Sequence, residues 1–215
     1  MKRGSVFQQL CRIGILPVIR SDSKKEAISA VQALAKGGIP VAEITMTVPG
    51  AIDVIRDLVD QNGEHLTIGA GTVTDAKTCA AAIEAGCRFV VTPILDPEVI
   101  GQCRKKEVCV IGGALTPTEI HATFLAGADA VKVFPAKAIG GPAYFRMLRE
   151  PFPNIPLVPT GGVTLETMAE YFKAGAVLVG AGGDLVRQNA MRNKNFEQIT
   201  DRACQYVSAI AKFRE

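Results

Sequence analysis

The repeating unit of this chain is clearest in the segment Leu125-Ala126-Gly127-Ala128-Asp129-Ala130-Val131-Lys132-Val133-Phe134-Pro135. It begins at the end of an amphipathic stretch, turns at a glycine, and continues as a short apolar run that ends at a proline. Glycine fits the left-handed conformation in which many helices end. A short apolar run between turn residues is typical of a buried strand in a parallel sheet. The segment therefore predicts a helix that turns directly into a buried strand.

This junction recurs along the chain, at Ala35-Lys36-Gly37-Gly38, Glu84-Ala85-Gly86-Cys87 and Lys173-Ala174-Gly175-Ala176. Eight apolar segments start roughly every 20 to 26 residues. They are Ile15–Arg20, Pro40–Met46, Leu66–Ala70, Arg88–Thr92, Val108–Gly112, Asp129–Phe134, Ile155–Thr160 and Ala176–Gly180. Each interval has room for one strand, one helix and two short loops, so the sequence predicts eight successive βα units.

Capping residues mark where several of the helices begin. Ser23 with Glu26 three residues later resembles a capping box at the start of a helix that runs to Lys36. Thr74 and Asp75 can cap the helix that follows them, and Thr116 and Thr164 each precede an amphipathic stretch and can cap it. The segment from Asn195 to Phe213 predicts a last, long helix.

Alternating strands and helices with short connections predict an α/β fold, a (β/α)8 TIM barrel in a single domain over residues 1–215, with a short N-terminal helix and a long C-terminal helix. The alternative is a doubly wound open sheet. That fold usually carries a glycine fingerprint after its first strand, whereas Ile15–Arg20 is followed by Ser21, Asp22 and Ser23.

Composition excludes several classes of function. The net charge is only +3 and no basic stripe is interleaved with aromatics, so we expect no nucleic acid partner. No apolar run is long enough to cross a membrane, and the N-terminal residues lack the apolar core of a signal peptide, so we expect a cytoplasmic protein without membrane contact. The six cysteines and two histidines show no metal-ligand spacing, so we expect no disulfide and no metal site. A catalytic cysteine stays open as a minor alternative.

Lys132 is an unusual residue for a buried strand. Lysine is rarely buried without a partner, and burial disfavours its charged form. An uncharged amine is a nucleophile that can form a Schiff base with a carbonyl group. The alternatives are a lysine that binds phosphate as a point charge, a structural ion pair, or a strand that is more exposed than its sequence indicates.

Glu43 is the second ionisable residue within an apolar strand. In a barrel the chemistry lies where strands end and βα loops begin. Strand parity places Glu43 on one face of its strand with Thr45 and Thr47, and Lys132 on one face with Phe134. If both faces point into the barrel, Glu43 is a candidate general acid/base beside a nucleophile. The alternative is a buried salt bridge between Glu43 and Lys132.

Glycines after the last two strands indicate a second part of the site. Thr160-Gly161-Gly162 leads from a strand into a helix N-terminus, where free amide groups and the helix dipole favour anions. Gly182 and Gly183 follow the eighth strand. The loops after strands seven and eight of such barrels frequently bind phosphate, although each pair of glycines is also compatible with a simple tight turn.

Five motifs follow one another along the chain: Glu43-Ile44-Thr45, Gly69-Ala70-Gly71-Thr72-Val73, Thr92-Pro93, Val131-Lys132-Val133-Phe134-Pro135-Ala136 and Pro159-Thr160-Gly161-Gly162-Val163. Together, in this order, they resemble the bacterial 2-keto-3-deoxy-6-phosphogluconate (KDPG) / 4-hydroxy-2-oxoglutarate (KHG) aldolase family. The resemblance extends from about Ile15 to Val186. It implies a cofactor-free, metal-independent Schiff-base aldolase on a (β/α)8 barrel, with a small, phosphorylated 2-keto acid as substrate and a homotrimeric assembly.

The resemblance also implies roles for individual residues. Lys132 would form the Schiff base and Glu43 would carry protons. Substrate binding would fall to Thr72 at the pyruvyl group, to Pro93 and Phe134 as an apolar wall, and to Thr160, Gly161, Gly162, Gly182 and Gly183 at the phosphate.

Two positions depart from the family pattern. Well-known members have an arginine where this chain has Thr47, and a serine in the strand-eight loop where it has Gly183. Threonine cannot make the bidentate contact that an arginine makes with a carboxylate, so Arg20 is the candidate substitute. Substrate choice therefore stays open between KDPG, 2-keto-3-deoxy-6-phosphogalactonate and 4-hydroxy-2-oxoglutarate. A phosphate-binding barrel isomerase or synthase and a non-catalytic sugar-phosphate-binding barrel are the alternative functions.

Overall fold

The computed structural model describes residues 3–63 and 65–214, so residues 1, 2, 64 and 215 of the predicted domain lie outside the described part. Eight parallel strands form one sheet in the order β7-β6-β5-β4-β3-β2-β1-β8. They are β1 Ile15–Ile19, β2 Val41–Thr45, β3 Thr67–Gly71, β4 Phe89–Val91, β5 Cys109–Ala114, β6 Ala130–Val133, β7 Leu157–Pro159 and β8 Val179–Ala181.

The two outermost strands of this order, β7 and β8, meet and close the sheet. Thr160 and Gly180 form a parallel bridge, and the amide of Val177 donates to the carbonyl of Leu157 at 3.1 Å. The prediction of a (β/α)8 barrel is confirmed, and the doubly wound alternative is wrong, because an open sheet would leave β7 and β8 as separate edges.

Helices lie outside the strands. They are α1 Arg3–Ile13, α2 Lys24–Lys36, α3 Ala51–Asn62, α4 Ala76–Glu84, α5 Pro97–Lys105, α6 Pro117–Leu125, α7 Pro142–Arg149, α8 Leu165–Lys173, α9 Gln188–Arg192 and α10 Phe196–Arg214, with a 3₁₀ turn at Lys137–Ile139. The short first helix and the long last helix are both as predicted. Within the described residues, no helix combines the length and the apolar character needed to cross a membrane.

The capping residues predicted from the sequence begin the helices as expected. The side chains of Ser23, Asp75, Thr116 and Thr164 each accept a hydrogen bond from a first-turn amide. The predicted capping box at α2 is half correct, because Glu26 accepts a hydrogen bond from the amide of Asp22 and not from that of Ser23.

The predicted strands were correct in number and place but differ by one to three residues at their ends. The seventh, for example, begins at Leu157 and not at Ile155, because Pro156 has no amide proton to give to a neighbouring strand. All residues of the eight strands are buried. Polar residues on these strands therefore lie either in the barrel interior or between the strands and the helices.

Candidate active site

The interior of the barrel contains one lysine and one glutamate from different strands. Lys132 on β6 is 3% exposed and Glu43 on β2 is 1% exposed. The charge of Lys132 acts on the Glu43 carboxyl, so the two side chains share one space, as strand parity predicted. However, no nitrogen–oxygen distance of 4.0 Å or less joins Lys132 to a carboxylate within the described residues. The alternative of a direct Glu43–Lys132 salt bridge is therefore wrong for this structure.

Glu43 is held without a full set of hydrogen bonds. Its Oε1 atom is buried and has no hydrogen-bond partner. Burial raises the pKa of the carboxyl above its ordinary value of 4.5, and the positive charges of Lys132 and Arg20 offset part of that rise. A buried carboxyl with a raised pKa can exchange protons nearer to neutral pH than an exposed one.

Room for Glu43 is made by Gly71 on the neighbouring strand. A Cβ atom at Gly71 would lie 1.9 Å from Oε1 of Glu43, closer than any two such atoms can approach. The second glycine of the Gly69-Ala70-Gly71-Thr72 motif is thus required by the glutamate. Gly69 makes room for the ring of Phe89 in the same way.

Lys132 lies between an aromatic ring and a proline-bearing loop. Its Nζ atom is 5.1 Å from the ring centroid of Phe134, a distance at which the ring attracts a cation. Lys132 is in register with Gly113 of β5. The backbone of Pro93 covers Gly113 so closely that a Cβ there would lie 2.2 Å from the Pro93 carbonyl carbon. The backbone of Pro93 therefore covers the residue next to Lys132 on β5, and Phe134 directly follows the strand that carries Lys132.

Arg20, Thr47 and Thr72 come together at the ends of the first three strands. Arg20 donates from Nη1 to Thr47 Oγ1 at 3.1 Å and from Nη2 to Thr72 Oγ1 at 3.5 Å. Thr47 Oγ1 is also 2.6 Å from Thr45 Oγ1, which donates to the carbonyl of Ile19. The guanidinium thus lies beside Thr47, the position for which Arg20 was the candidate substitute.

Thr72 has a backbone φ of +56°, which is strained for a β-branched residue. Such strain is concentrated at functional sites, because the surrounding structure must hold it in place. Its position beside Arg20 makes Thr72 part of the same polar cluster.

The glycine loops after β7 and β8 lie side by side. Gly161 and Gly162 have φ values of +91° and +80°, and Phe134 packs against Gly161. Gly180 of β8 contacts Thr160, since a Cβ there would lie 2.3 Å from Thr160 Oγ1. The two loops therefore adjoin each other next to the ring that covers Lys132.

Sequence reasoning missed Asp184, which follows Gly183 and fixes the second loop. Its Oδ2 accepts from the Leu165 amide at 3.1 Å, from Arg202 Nη2 at 2.7 Å and from the Tyr206 hydroxyl at 2.7 Å. Burial opposes ionisation, but the hydrogen bonds from Tyr206, Arg202 and Leu165 hold the pKa below its ordinary value of 3.8. Its partners lie on α8 and α10, far along the chain, so no local motif could identify it.

The remaining titratable groups form no second centre of this kind. All six cysteines are free thiols, and Cys79 and Cys103 are 3.6 Å apart between α4 and α5. Across residues 3–63 and 65–214, no three His, Cys, Asp or Glu side chains are placed to hold a metal ion.

Comparisons with known proteins agree with this geometry. The family model for KDPG and KHG aldolase matches residues 6–202. The 2-dehydro-3-deoxy-phosphogluconate aldolase of Pseudomonas aeruginosa is 35% identical over 95% of this chain and 93% of its own length. The 2-dehydro-3-deoxy-6-phosphogalactonate aldolase of Escherichia coli is 32% identical, over 94% of this chain and 97% of its own.

Among solved structures, the KDPG aldolase of Legionella pneumophila, with pyruvate captured at low pH as a covalent carbinolamine intermediate, superposes with a TM-score of 0.86. It is 30% identical to this chain, and the match covers 95% of this chain and 97% of that one. Together with the barrel, the buried lysine and the buried glutamate, these matches show that the chain belongs to the KDPG and KHG aldolase family.

Proposed function

We propose that the chain is a Schiff-base (class I) aldolase that cleaves a 2-keto-3-deoxy sugar acid phosphate of the KDPG type into pyruvate and an aldehyde such as glyceraldehyde 3-phosphate. One observation carries the proposal: an amine and a carboxyl group share the barrel interior without an ion pair between them. A buried pair that served only stability would be expected to bond directly. An amine that must attack a ketone has to be free of such a bond.

In the proposed mechanism, the neutral amine of Lys132 attacks C2 of the substrate and forms a carbinolamine. Glu43 gives a proton to the departing hydroxyl group, water leaves, and a protonated imine remains. Glu43, now a carboxylate, takes the proton from the C4 hydroxyl group. The electron pair of the C3–C4 bond moves towards the imine nitrogen, so that an enamine forms and the aldehyde leaves. Protonation of the enamine at C3 and hydrolysis of the imine release pyruvate and restore Lys132.

The buried state of Glu43 suits both halves of this cycle. A general acid/base works best when its pKa lies near the working pH, and burial moves the pKa of Glu43 in that direction. Its unbonded Oε1 atom is available to a substrate hydroxyl group or to water.

Arg20 is proposed to bind the substrate carboxylate, with Thr47 and Thr72 as its support. The guanidinium has only two threonine hydroxyl groups as hydrogen-bond partners within the described residues, so a carboxylate can displace or join them. Arg20→Ala should raise KM about 10- to 100-fold for keto-acid substrates, because a charge-assisted bond is lost. An unchanged KM would refute this role. Thr47→Ser, which keeps the hydroxyl group, serves as the control.

The phosphate end of the substrate is assigned to Thr160, Gly161, Gly162, Gly182 and Gly183. Gly161 of the first loop lies against the Phe134 ring, which is 5.1 Å from Lys132 Nζ, and this arrangement supports one continuous substrate path from the keto group to the phosphate.

The decisive test of the aldolase proposal is reductive trapping. Treatment with pyruvate and borohydride should inactivate the protein and add a pyruvate-derived mass to the peptide that carries Lys132. Lys132→Met should show neither effect. A mass on another lysine, or none, would favour the isomerase or synthase alternative, in which lysine is only a point charge.

The substrate itself is tested by pyruvate release, coupled to lactate dehydrogenase, from KDPG, 2-keto-3-deoxy-6-phosphogalactonate and 4-hydroxy-2-oxoglutarate. KDPG should be the fastest. Thr47 and Gly183, the two departures from the family pattern, give weight to the other two substrates and to a non-catalytic sugar-phosphate-binding barrel. Absence of release from all three would identify the latter.

A homotrimer in the cytoplasm is the assembly and location that we propose with this function. Leu125 on α6 and Met147 on α7 are 70% and 69% exposed, which supports burial of these apolar side chains in an assembly. Sedimentation equilibrium should give three times the chain mass of 22.8 kDa, and a monomer at micromolar concentration would contradict the trimer.

A further inference from the structure

Lys137, three residues after Phe134, packs directly on the first glycine loop. Its amide donates to the carbonyl of Gly161 at 3.0 Å, which fixes the start of its side chain. A Cβ atom at Gly162 would lie 2.5 Å from Cβ and 2.6 Å from Cδ of Lys137. The aliphatic stem of the lysine therefore lies across Gly162, and the side chain leads from there to an exposed ammonium group.

This ammonium group is exposed and has no partner within residues 3–63 and 65–214. Among the described lysines, Lys24 and Lys173 form ion pairs with carboxylates, whereas Lys137 takes part in no ion pair and in no side-chain hydrogen bond. The carboxylate of the neighbouring loop does not compete for it, because Asp184 is bonded to Arg202 and Tyr206. A cation without a partner beside this loop is available to an anionic ligand.

The backbone beside Lys137 offers a further donor. The Gly161 amide is used by the parallel bridge between Thr160 and Gly180, because the Thr160 amide donates to Val133. Within the described part of the chain, the amide of Gly162 donates to no backbone or side-chain acceptor. One free amide and one unpaired ammonium group thus lie at the same loop.

Across the site, the second loop lacks a side-chain donor. Gly183 has open space where a Cβ would be, so this position carries no side-chain hydroxyl group. A phosphate dianion there would find amides but no hydroxyl group, so the first loop has to supply the remaining charge-assisted contact.

We infer that Lys137 is a specificity-determining residue whose ammonium group binds the distal phosphate of the substrate, together with the amide of Gly162. The inference rests on the proposed function. It adds that phosphorylated substrates are preferred over an otherwise similar substrate that has no phosphate, in spite of the missing hydroxyl group at Gly183.

The test compares Lys137→Ala, Lys137→Glu and Lys137→Arg with wild type on KDPG, on its unphosphorylated analogue 2-keto-3-deoxygluconate, and on 4-hydroxy-2-oxoglutarate. Lys137→Ala should raise KM for KDPG about tenfold with little change in kcat, as expected when binding far from the reacting atoms is lost. Lys137→Glu should raise it further, and Lys137→Arg should restore it. The KM for 2-keto-3-deoxygluconate should stay unchanged. Inorganic phosphate should inhibit wild type competitively and Lys137→Ala more weakly.

Two controls separate the possible failures. Lys105→Ala removes an exposed lysine at the C-terminal end of α5, at the opposite end of the barrel from the βα loops. This variant should leave kcat and KM unchanged for all three substrates.

Borohydride trapping of pyruvate, which has no distal group, reports on Lys132 alone. If wild type traps pyruvate but Lys137→Ala keeps its KM for KDPG, the inference is wrong while the aldolase proposal stands. If wild type traps no pyruvate, the proposed function itself fails. An equal rise in KM for 2-keto-3-deoxygluconate would also overturn the inference, because it would indicate a loss of loop structure.

Discussion

Glu43 and Asp184 are both carboxylates next to glycine-containing strands or loops of one barrel, yet their surroundings are opposite. Asp184 is surrounded by donors from Leu165, Arg202 and Tyr206, and its pKa is lowered. Glu43 is almost fully buried, has one oxygen without a partner, and has a raised pKa. A fully bonded carboxylate stabilises the fold, whereas a partly bonded one costs stability and stays available to react. The difference in hydrogen bonding distinguishes a carboxylate that stabilises the barrel, Asp184, from one that is available for catalysis, Glu43.

The largest effect that tests this difference is expected for Glu43→Gln. We expect kcat for pyruvate release to fall about 10²- to 10⁴-fold, the range typical of a lost general acid/base. The free energy of unfolding at pH 7 should stay the same or rise, because a buried charge is removed. A variant that is both fully active and less stable would make Glu43 a structural residue like Asp184.

Gly71→Ala should sharpen the comparison by displacing Glu43 without removing it. The new methyl group would overlap with Oε1, so the carboxyl must move, and a displacement of about 1 Å can lower the rate about a hundredfold. Kinetics and thermal unfolding would be measured together. The matched control is Gly101→Ala in α5, where nothing lies within 4 Å of a Cβ. It should keep full activity and gain about 0.5–1 kcal/mol of stability.

Tyr206→Phe should show the opposite pattern at Asp184. It removes a buried hydroxyl group that donates to a charged carboxylate at 2.7 Å, and we expect a loss of about 1.5–3 kcal/mol in the free energy of unfolding. Denaturant titration would measure it. Tyr144→Phe removes a donor to the neutral Leu115 carbonyl and should cost less, about 0.5–1.5 kcal/mol. Equal costs for the two variants would contradict a special role for the charge of Asp184.

The smallest effects are expected in the pH dependence of stability, and they have opposite signs. The folded-state pKa of Glu43 is raised, so the wild type should lose stability relative to Glu43→Gln as pH rises from 4.5 through that pKa. The folded-state pKa of Asp184 is lowered, so its contribution should be complete above pH 3.8 and disappear as pH falls further. Unfolding of wild type, Glu43→Gln and Asp184→Asn between pH 3 and 8 would measure both slopes. Slopes of the same sign would refute the contrast.

The residues of the candidate site could be predicted from the sequence where they belong to motifs at the ends of strands. Lys132 and Glu43 are ionisable residues within apolar strands, and strand periodicity predicted a shared interior on the condition that both faces point into the barrel. Gly71, by contrast, belongs to a motif that gives no local reason for its second glycine, and the reason is the Glu43 carboxyl group that lies over it in the folded barrel. The exact ends of the strands were less predictable, because an apolar residue such as Ile155 fits the strand pattern whether or not it belongs to the hydrogen-bonded ladder.

The sequence by itself determined the barrel, the helix starts and the buried lysine, because each depends on local periodicity, on glycine and on capping residues close along the chain. The tertiary structure alone decided that Lys132 and Glu43 make no ion pair, that Arg20 reaches Thr47 and Thr72, and that Asp184 is tied to α8 and α10. These are distances between residues far apart in the chain. They depend on how strands and helices pack, and a few tenths of an ångström in that packing decide whether a buried charge is bonded or left free to react.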